Sequence, residues 1–306
     1  RASGNRGRKR RRMIPVEIIT IISLLYFGLL FAVAYYADKR REEGRSIISN
    51  ANIYALSLSV YLTSWTFYGS VGRAATSGLD FLPVYIGPTL IAFSWCFLLR
   101  KMVRISKEHN IVSIADFLSS RYGKSPALGA VVTVFTVLAI MPYIALQLKA
   151  VSRTFDLLAA PQTALSHHIQ ALLPGVPPFI DTAFVVALFL GLFGVLFGAR
   201  HLDATERHEG MVAAIALESL VKLVAFFSVG LFVTYGMFDG FADIFERFNA
   251  EFPERSYLYT LGHEAVPYSE WFTMTFISMM AFMFLPRQFH IMVIENSSEE
   301  HIKSAM

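Results

Sequence analysis

Seven apolar blocks, each about as long as the ~20 residues a helix needs to cross a bilayer, constrain this chain more than any other feature. They run roughly over residues 14–36, 52–71, 81–99, 127–153, 181–199, 211–238 and 272–294. Hydrocarbon offers no hydrogen bonds, so a spanning backbone must satisfy its own, and an α-helix does so within one segment. The expected fold class is therefore an all-α, polytopic membrane protein with about seven transmembrane helices. Composition agrees: 16% of the residues are charged, where soluble domains carry about 25%.

The net charge of +4 conceals an uneven distribution. Residues 1–12 hold seven Arg and Lys and no acid, so the remainder is net acidic. Met13 follows this run directly. We read residues 1–12 as a basic leader that is not native, not as a tail for nucleic acid, and the partner of the chain as the lipid bilayer. Basic and non-basic connections alternate along the rest. Residues 37–51 carry Lys39, Arg40, Arg41 and Arg45, residues 100–126 carry six cations, and residues 200–210 carry Arg200 and Arg207. Connections 72–80, 154–180 and 239–271 are poor in cations or rich in acids. The positive-inside rule places the first set in the cytoplasm and the N-terminus outside. Met306 follows the last block by only twelve residues, and the expectation is a chain that continues.

Two blocks are unlike lipid-facing helices. The second contains Ser57, Ser59, Tyr61, Thr63, Ser64, Trp65, Thr66, Tyr68, Gly69 and Ser70, with Gly72 just past its end. Either it is a discontinuous helix lining a cavity, or its hydroxyls bond back within a packed helix. The seventh is interrupted by Pro286, Arg287, Gln288 and His290. Either the helix breaks there around a site, or Pro286 only kinks it and Arg287 snorkels to the surface. Two breaks five blocks apart suit two inverted five-helix repeats with a site between them. Candidate solute-binding residues are Thr63, Ser64, Trp65, Tyr68, Gln147, Arg287, Gln288 and His290. Glu218 and Lys222 are four apart, share a helix face and predict a structural ion pair. Short surface helices are expected after Ser113, closed by Gly123, and over 240–256. Cys96 is the single cysteine, and the histidines, among them His167, His168, His201 and His208, have no metal-ligand spacing. No metal site, nucleophile–base pair or phosphate loop is predicted.

The stretches Thr63–Ser70, Asp116–Gly123, Glu218–Leu223 and Leu285–His290 together resemble the sodium/solute symporter family. More narrowly, they resemble its branch that forms the N-terminal membrane domain of bacterial sensor histidine kinases. The resemblance implies a LeuT-like inverted-repeat bundle, present here in part, in the bacterial inner membrane. It implies a sodium ion held by the backbone carbonyls of Ser59 and Leu62, although Tyr61 stands where symporters of the family often carry an acidic or small polar group. It implies a small organic solute, such as an amino acid or a short carboxylate. ATP, magnesium and a response regulator would belong to a kinase part absent from this chain, which has no catalytic centre of its own. The functions that follow are a solute-sensing and transporting domain of a sensor kinase, a stand-alone symporter, or a receptor that does not transport.

Overall fold

The computed structural model describes residues 15–158, 182–198, 208–262 and 267–305, and these are helical with no strand among them. The leader over 1–12, the proline-rich run 174–178, the cations of 200–207 and His167, His168 and His201 lie outside the described residues.

Among the described residues, three helices are long and apolar enough to cross a membrane: α1 (Val16–Glu42), α7 (Pro126–Leu158) and α9 (Glu209–Leu231), which continues as a π-helix over Phe232–Met237. A bent pair is together long and apolar enough for a fourth. Helix α11 (Tyr268–Phe284) meets α12 (Pro286–Phe289) and its π-helical extension His290–Ile294 at 49°. Leu285, extended at ψ 133°, is the hinge residue. Proline cannot donate to the helix ladder and disfavours helical geometry in the residue before it. Helix α8 (Thr182–Gly198) is apolar but shorter.

The second and third apolar blocks are not single long helices. Residues 51–77 form α2 (Ala51–Ser57), a 3₁₀ segment Leu58–Tyr61, an extended pair Leu62–Thr63, and α3 (Ser64–Ser77). The third block gives a 3₁₀ turn Gly78–Phe81, then α4 (Pro83–Ala92), a turn, and α5 (Leu98–Glu108). The extent of hydropathy was legible; its division among elements follows from polar and proline residues inside it.

Helix directions follow from which residues meet. Phe27 stacks on Phe189 and Phe31 meets Phe193, so α1 and α8 run the same way. Gly87 lies against Thr275 and Ser278 while Trp95 stacks on Phe282, so the third block runs with α11. Gly210 at the start of α9 touches Ala34 and Asp38 near the end of α1, so these two are opposed. A chain threading back and forth through one layer produces such an alternation.

The lateral surfaces of α1, α7 and α9 are apolar and outward-facing, with Leu25 at 68%, Phe135 at 70% and Phe227 at 65% exposure. Soluble proteins do not carry apolar surface on this scale, and the chain is a membrane protein. Its protein-buried core gathers around the second half of the bent pair. Phe289, Met283, Met292 and Val293 pack with Tyr54, Leu99, Val103 and Ile302. Phe289 is fully buried and meets the edge of Phe117 at 5.4 Å. Phe289→Ala is expected to cost about 3–5 kcal/mol, read as a lowered unfolding midpoint in detergent.

Polar ties hold one end of the bundle. Arg100 and Arg104 reach Glu299 at 2.8 and 2.9 Å, joining α5 to the segment before α13 (Glu300–Ala305). Those guanidiniums hold the Glu299 carboxyl down to about 2. Helix α6 (Ile114–Arg121) lies at the same end. The Ser113 side chain caps it at 3.1 Å from the Asp116 N–H, and Gly123 follows it at φ 69°. At the opposite end α10 (Phe241–Glu251) lies with no buried residue, and Arg73 pairs with Glu270 at 3.3 Å. The two short helices over 114–121 and 241–251 fall where capping and apolar spacing predict them.

Candidate functional site

A break in a helix releases backbone groups that must find partners elsewhere. At the break between α2 and α3, three carbonyls meet nitrogen side chains from distant elements. The Gln288 amide donates from Nε2 to the Leu58 carbonyl at 3.0 Å. The Arg287 guanidinium reaches the Tyr61 carbonyl at 3.5 Å. The Lys222 ammonium donates to the Leu62 carbonyl at 2.8 Å. Arg287 and Gln288 project from the second break, so the two interruptions meet face to face. Lys222 also pairs with Glu218 at 3.0 Å, one turn away on α9.

The far side of the break docks on α7. Thr63 is the N-cap of α3 and forms a capping box with Thr66. Its hydroxyl lies 2.9 Å from the Tyr143 hydroxyl. Gln147, four residues on from Tyr143 and so on the same face, accepts from the Trp65 N–H at 3.2 Å and from the Ser64 hydroxyl. Tyr68 and Thr154 share a hydrogen bond of 2.6 Å. The α3 hydroxyls are thus matched in order by an α7 stripe of Tyr143, Gln147 and Thr154. They form a packed polar seam, so the packed-helix alternative accounts for much of α3, while the discontinuity stands at Leu62–Thr63.

Two polar atoms here have no hydrogen-bond partner although buried: Gln147 Nε2 and Gln288 Oε1. A buried donor or acceptor left so costs about 1–3 kcal/mol, which a ligand would offset. A cavity of about 400 Å³ is lined by Arg287, Pro286 and Tyr143 and by mostly apolar residues of α6, α7 and α11, but by neither glutamine. The Arg287 guanidinium stands 4.7 Å over the Tyr143 ring, a cation–π arrangement that orients it.

The structure therefore brings Thr63, Ser64, Trp65, Gln147, Arg287 and Gln288 together around the two breaks. Tyr68 lies further along the seam. His290 is elsewhere: its Nε2 faces Glu295 at 3.1 Å. The carbonyls of Ser59 and Leu62, expected to hold an ion, are engaged by the Leu62 N–H at 2.9 Å and by Lys222 respectively. Sequence reasoning missed Tyr143, whose signal was a hydroxyl one turn before Gln147 in an apolar helix. It also missed Lys222 as a partner of the break, because 160 residues separate it from Leu62.

Comparison with known proteins adds an independent observation. Residues 43–173 match the profile described as Sodium:solute symporter family. An uncharacterized symporter of Bacillus subtilis, YodF, is 31% identical over 94 residues, which is 31% of this chain and 19% of that protein. A second, YhjB, is 26% identical over 138 residues, 41% of this chain and 28% of that protein. The matches thus cover less than a third of either relative's length. No solved structure matches the chain. Over residues 43–173, the stretch that carries the first break and its Gln147 and Tyr143 partners, the chain is similar to the sodium:solute symporter family.

Proposed function

We propose that this chain is part of a membrane domain that binds a small organic solute between two broken helices and moves it or senses it. The observation that supports this most is the meeting of the breaks at Leu62–Thr63 and Leu285, with Gln147 Nε2 and Gln288 Oε1 unpartnered between them. Arg287 at the wall of the adjoining cavity favours a solute with a carboxylate, since a guanidinium binds that group through two parallel hydrogen bonds. Amino acids and short carboxylates fit this chemistry. The two breaks and the alternating helix directions support a LeuT-like bundle with about seven spans here, and the cations over 37–51 and 100–126 favour an N-terminus outside the cell membrane. Uptake of labelled amino acids and carboxylates by the full-length protein in liposomes tests the reading. Binding of none of them, under any ion gradient, overturns it.

Sodium coupling is what similarity to the family suggests, and here the Lys222 ammonium already holds the Leu62 carbonyl. A sodium ion at that carbonyl must displace it. Lys222→Met removes the competing cation, and the sodium concentration for half-maximal solute binding should fall by about tenfold, the worth of one charge-assisted hydrogen bond. An unchanged or higher sodium requirement would place the ion elsewhere.

A narrower reading rests on the stretches Ser64–Gly69 and Glu218–Lys222, which resemble the branch fused to bacterial sensor histidine kinases. Solute binding would then bias a conformational equilibrium read by a kinase, through different affinities for the two states. Solute-dependent autophosphorylation of the full-length protein tests it; a reading frame without a kinase core rejects it and leaves a stand-alone symporter or a receptor.

A further inference from the structure

His290 and Glu295 are five residues apart, a spacing that puts side chains on different faces of an α-helix. Here residues 290–294 form a π-helix, and the Glu295 N–H donates to the His290 carbonyl at 2.9 Å. Single π-turns within α-helices occur often at functional sites. This one brings the His290 Nε2 within 3.1 Å of Glu295 Oε1. His208, at the N-cap of α9, approaches the same oxygen, its Nδ1 at 3.0 Å.

We propose that His208, His290 and Glu295 form a binding site for a transition-metal ion such as Zn²⁺. Two imidazoles and one carboxylate are a recurrent zinc donor set. Their donor atoms all lie within 4.8 Å of one another. Ligands bonded at ~2.0–2.1 Å in a tetrahedron stand about 3.3 Å apart, close to the two distances seen at Glu295. The carboxylate is prepared as a ligand. Its side chain is 2% exposed, and the His208 backbone N–H donates to both of its oxygens at 3.2 Å. The imidazoles are 24% and 32% exposed in their side chains, which leaves a path for the ion and room for water as a further ligand.

The ion would staple the start of α9, which carries Lys222, to the segment that carries Arg287 and Gln288. It would thereby fix the second broken helix against the first. This site is independent of the solute reading and survives its failure.

The test is titration of the full chain in detergent, stripped with chelator, with Zn²⁺ and with Co²⁺. One equivalent of Zn²⁺ should bind and raise the unfolding midpoint, and Co²⁺ should develop the intense visible bands of low-coordinate geometry. His208→Asn and His290→Gln keep a hydrogen-bond donor beside Glu295 while removing a ligand. Each should weaken Zn²⁺ binding by at least ~100-fold, beyond the 10–100-fold loss typical of outer-shell changes. His109→Gln, at an exposed histidine outside the cluster, should leave it unchanged. Absence of stoichiometric binding by the unmodified chain overturns the proposal, as does binding that persists in both cluster variants.

Discussion

Gly87→Leu is expected to prevent α4 from seating on α11 and to leave little folded protein after extraction into detergent. A methyl alone at this position would stand 2.6 Å from Ser278 Cβ, 2.8 Å from the Met279 nitrogen and 2.8 Å from the Thr275 carbonyl oxygen. Two of these neighbours are backbone atoms, so the strain cannot be relieved by a rotamer change. Overpacking in a well-filled core costs about 1–3 kcal/mol, and leucine adds three more carbons to a position already too tight for one. Close backbone approach at a small residue is a recurring device of membrane helix pairs, where lipid supplies no hydrophobic drive between helices. The damage should spread, because α11 positions the hinge at Leu285 and the Trp95–Phe282 stack. Gly72→Ala, where nothing lies within 4 Å of the added carbon, should be tolerated. Size-exclusion profiles and thermal unfolding of both variants check this: a monodisperse G87L protein with an unshifted midpoint would contradict the packing.

The second large effect is expected at Arg287. Arg287→Met keeps the length of the side chain but removes the charge that reaches the Tyr61 carbonyl and faces the Tyr143 ring. If the solute carries a carboxylate, its affinity should fall by about 10–100-fold, the equivalent of one charge-assisted hydrogen bond of about 1.5–3 kcal/mol. Arg287→Lys should recover only part of this, since an ammonium neither pairs bidentately nor stacks flat on an aromatic ring. Equilibrium binding of labelled solute to the full-length protein measures both. Undiminished binding by R287M would remove Arg287 from the site and favour the unpartnered amides of Gln147 and Gln288 as the recognition groups.

Much of the architecture was legible because its causes are local. An apolar stretch of bilayer length meets most of its backbone hydrogen bonds as helix, whatever it packs against. Pro286 interrupts its own helix by lacking an N–H. Ser113 caps α6 through the Asp116 N–H three residues on, and the phenylalanines of α10 share a face by period alone. Glu218 and Lys222 meet because they are four apart. Each of these depends on neighbours within a turn or two, which a sequence displays.

The composition of the site depends on distances no local pattern encodes. That the Leu58, Tyr61 and Leu62 carbonyls are claimed by Gln288, Arg287 and Lys222 follows from helices 160 to 230 residues apart being packed together. The same packing engages the α3 hydroxyls with Tyr143, Gln147 and Thr154, and moves His290 from the solute site to Glu295. Helical periodicity would have separated His290 from Glu295, and only a π-turn held by the surrounding core unites them with His208. The sequence by itself determined a helical membrane protein with two polar interruptions. The tertiary structure decided what those interruptions face, because a broken helix takes its missing hydrogen bonds from whatever the rest of the chain brings beside it.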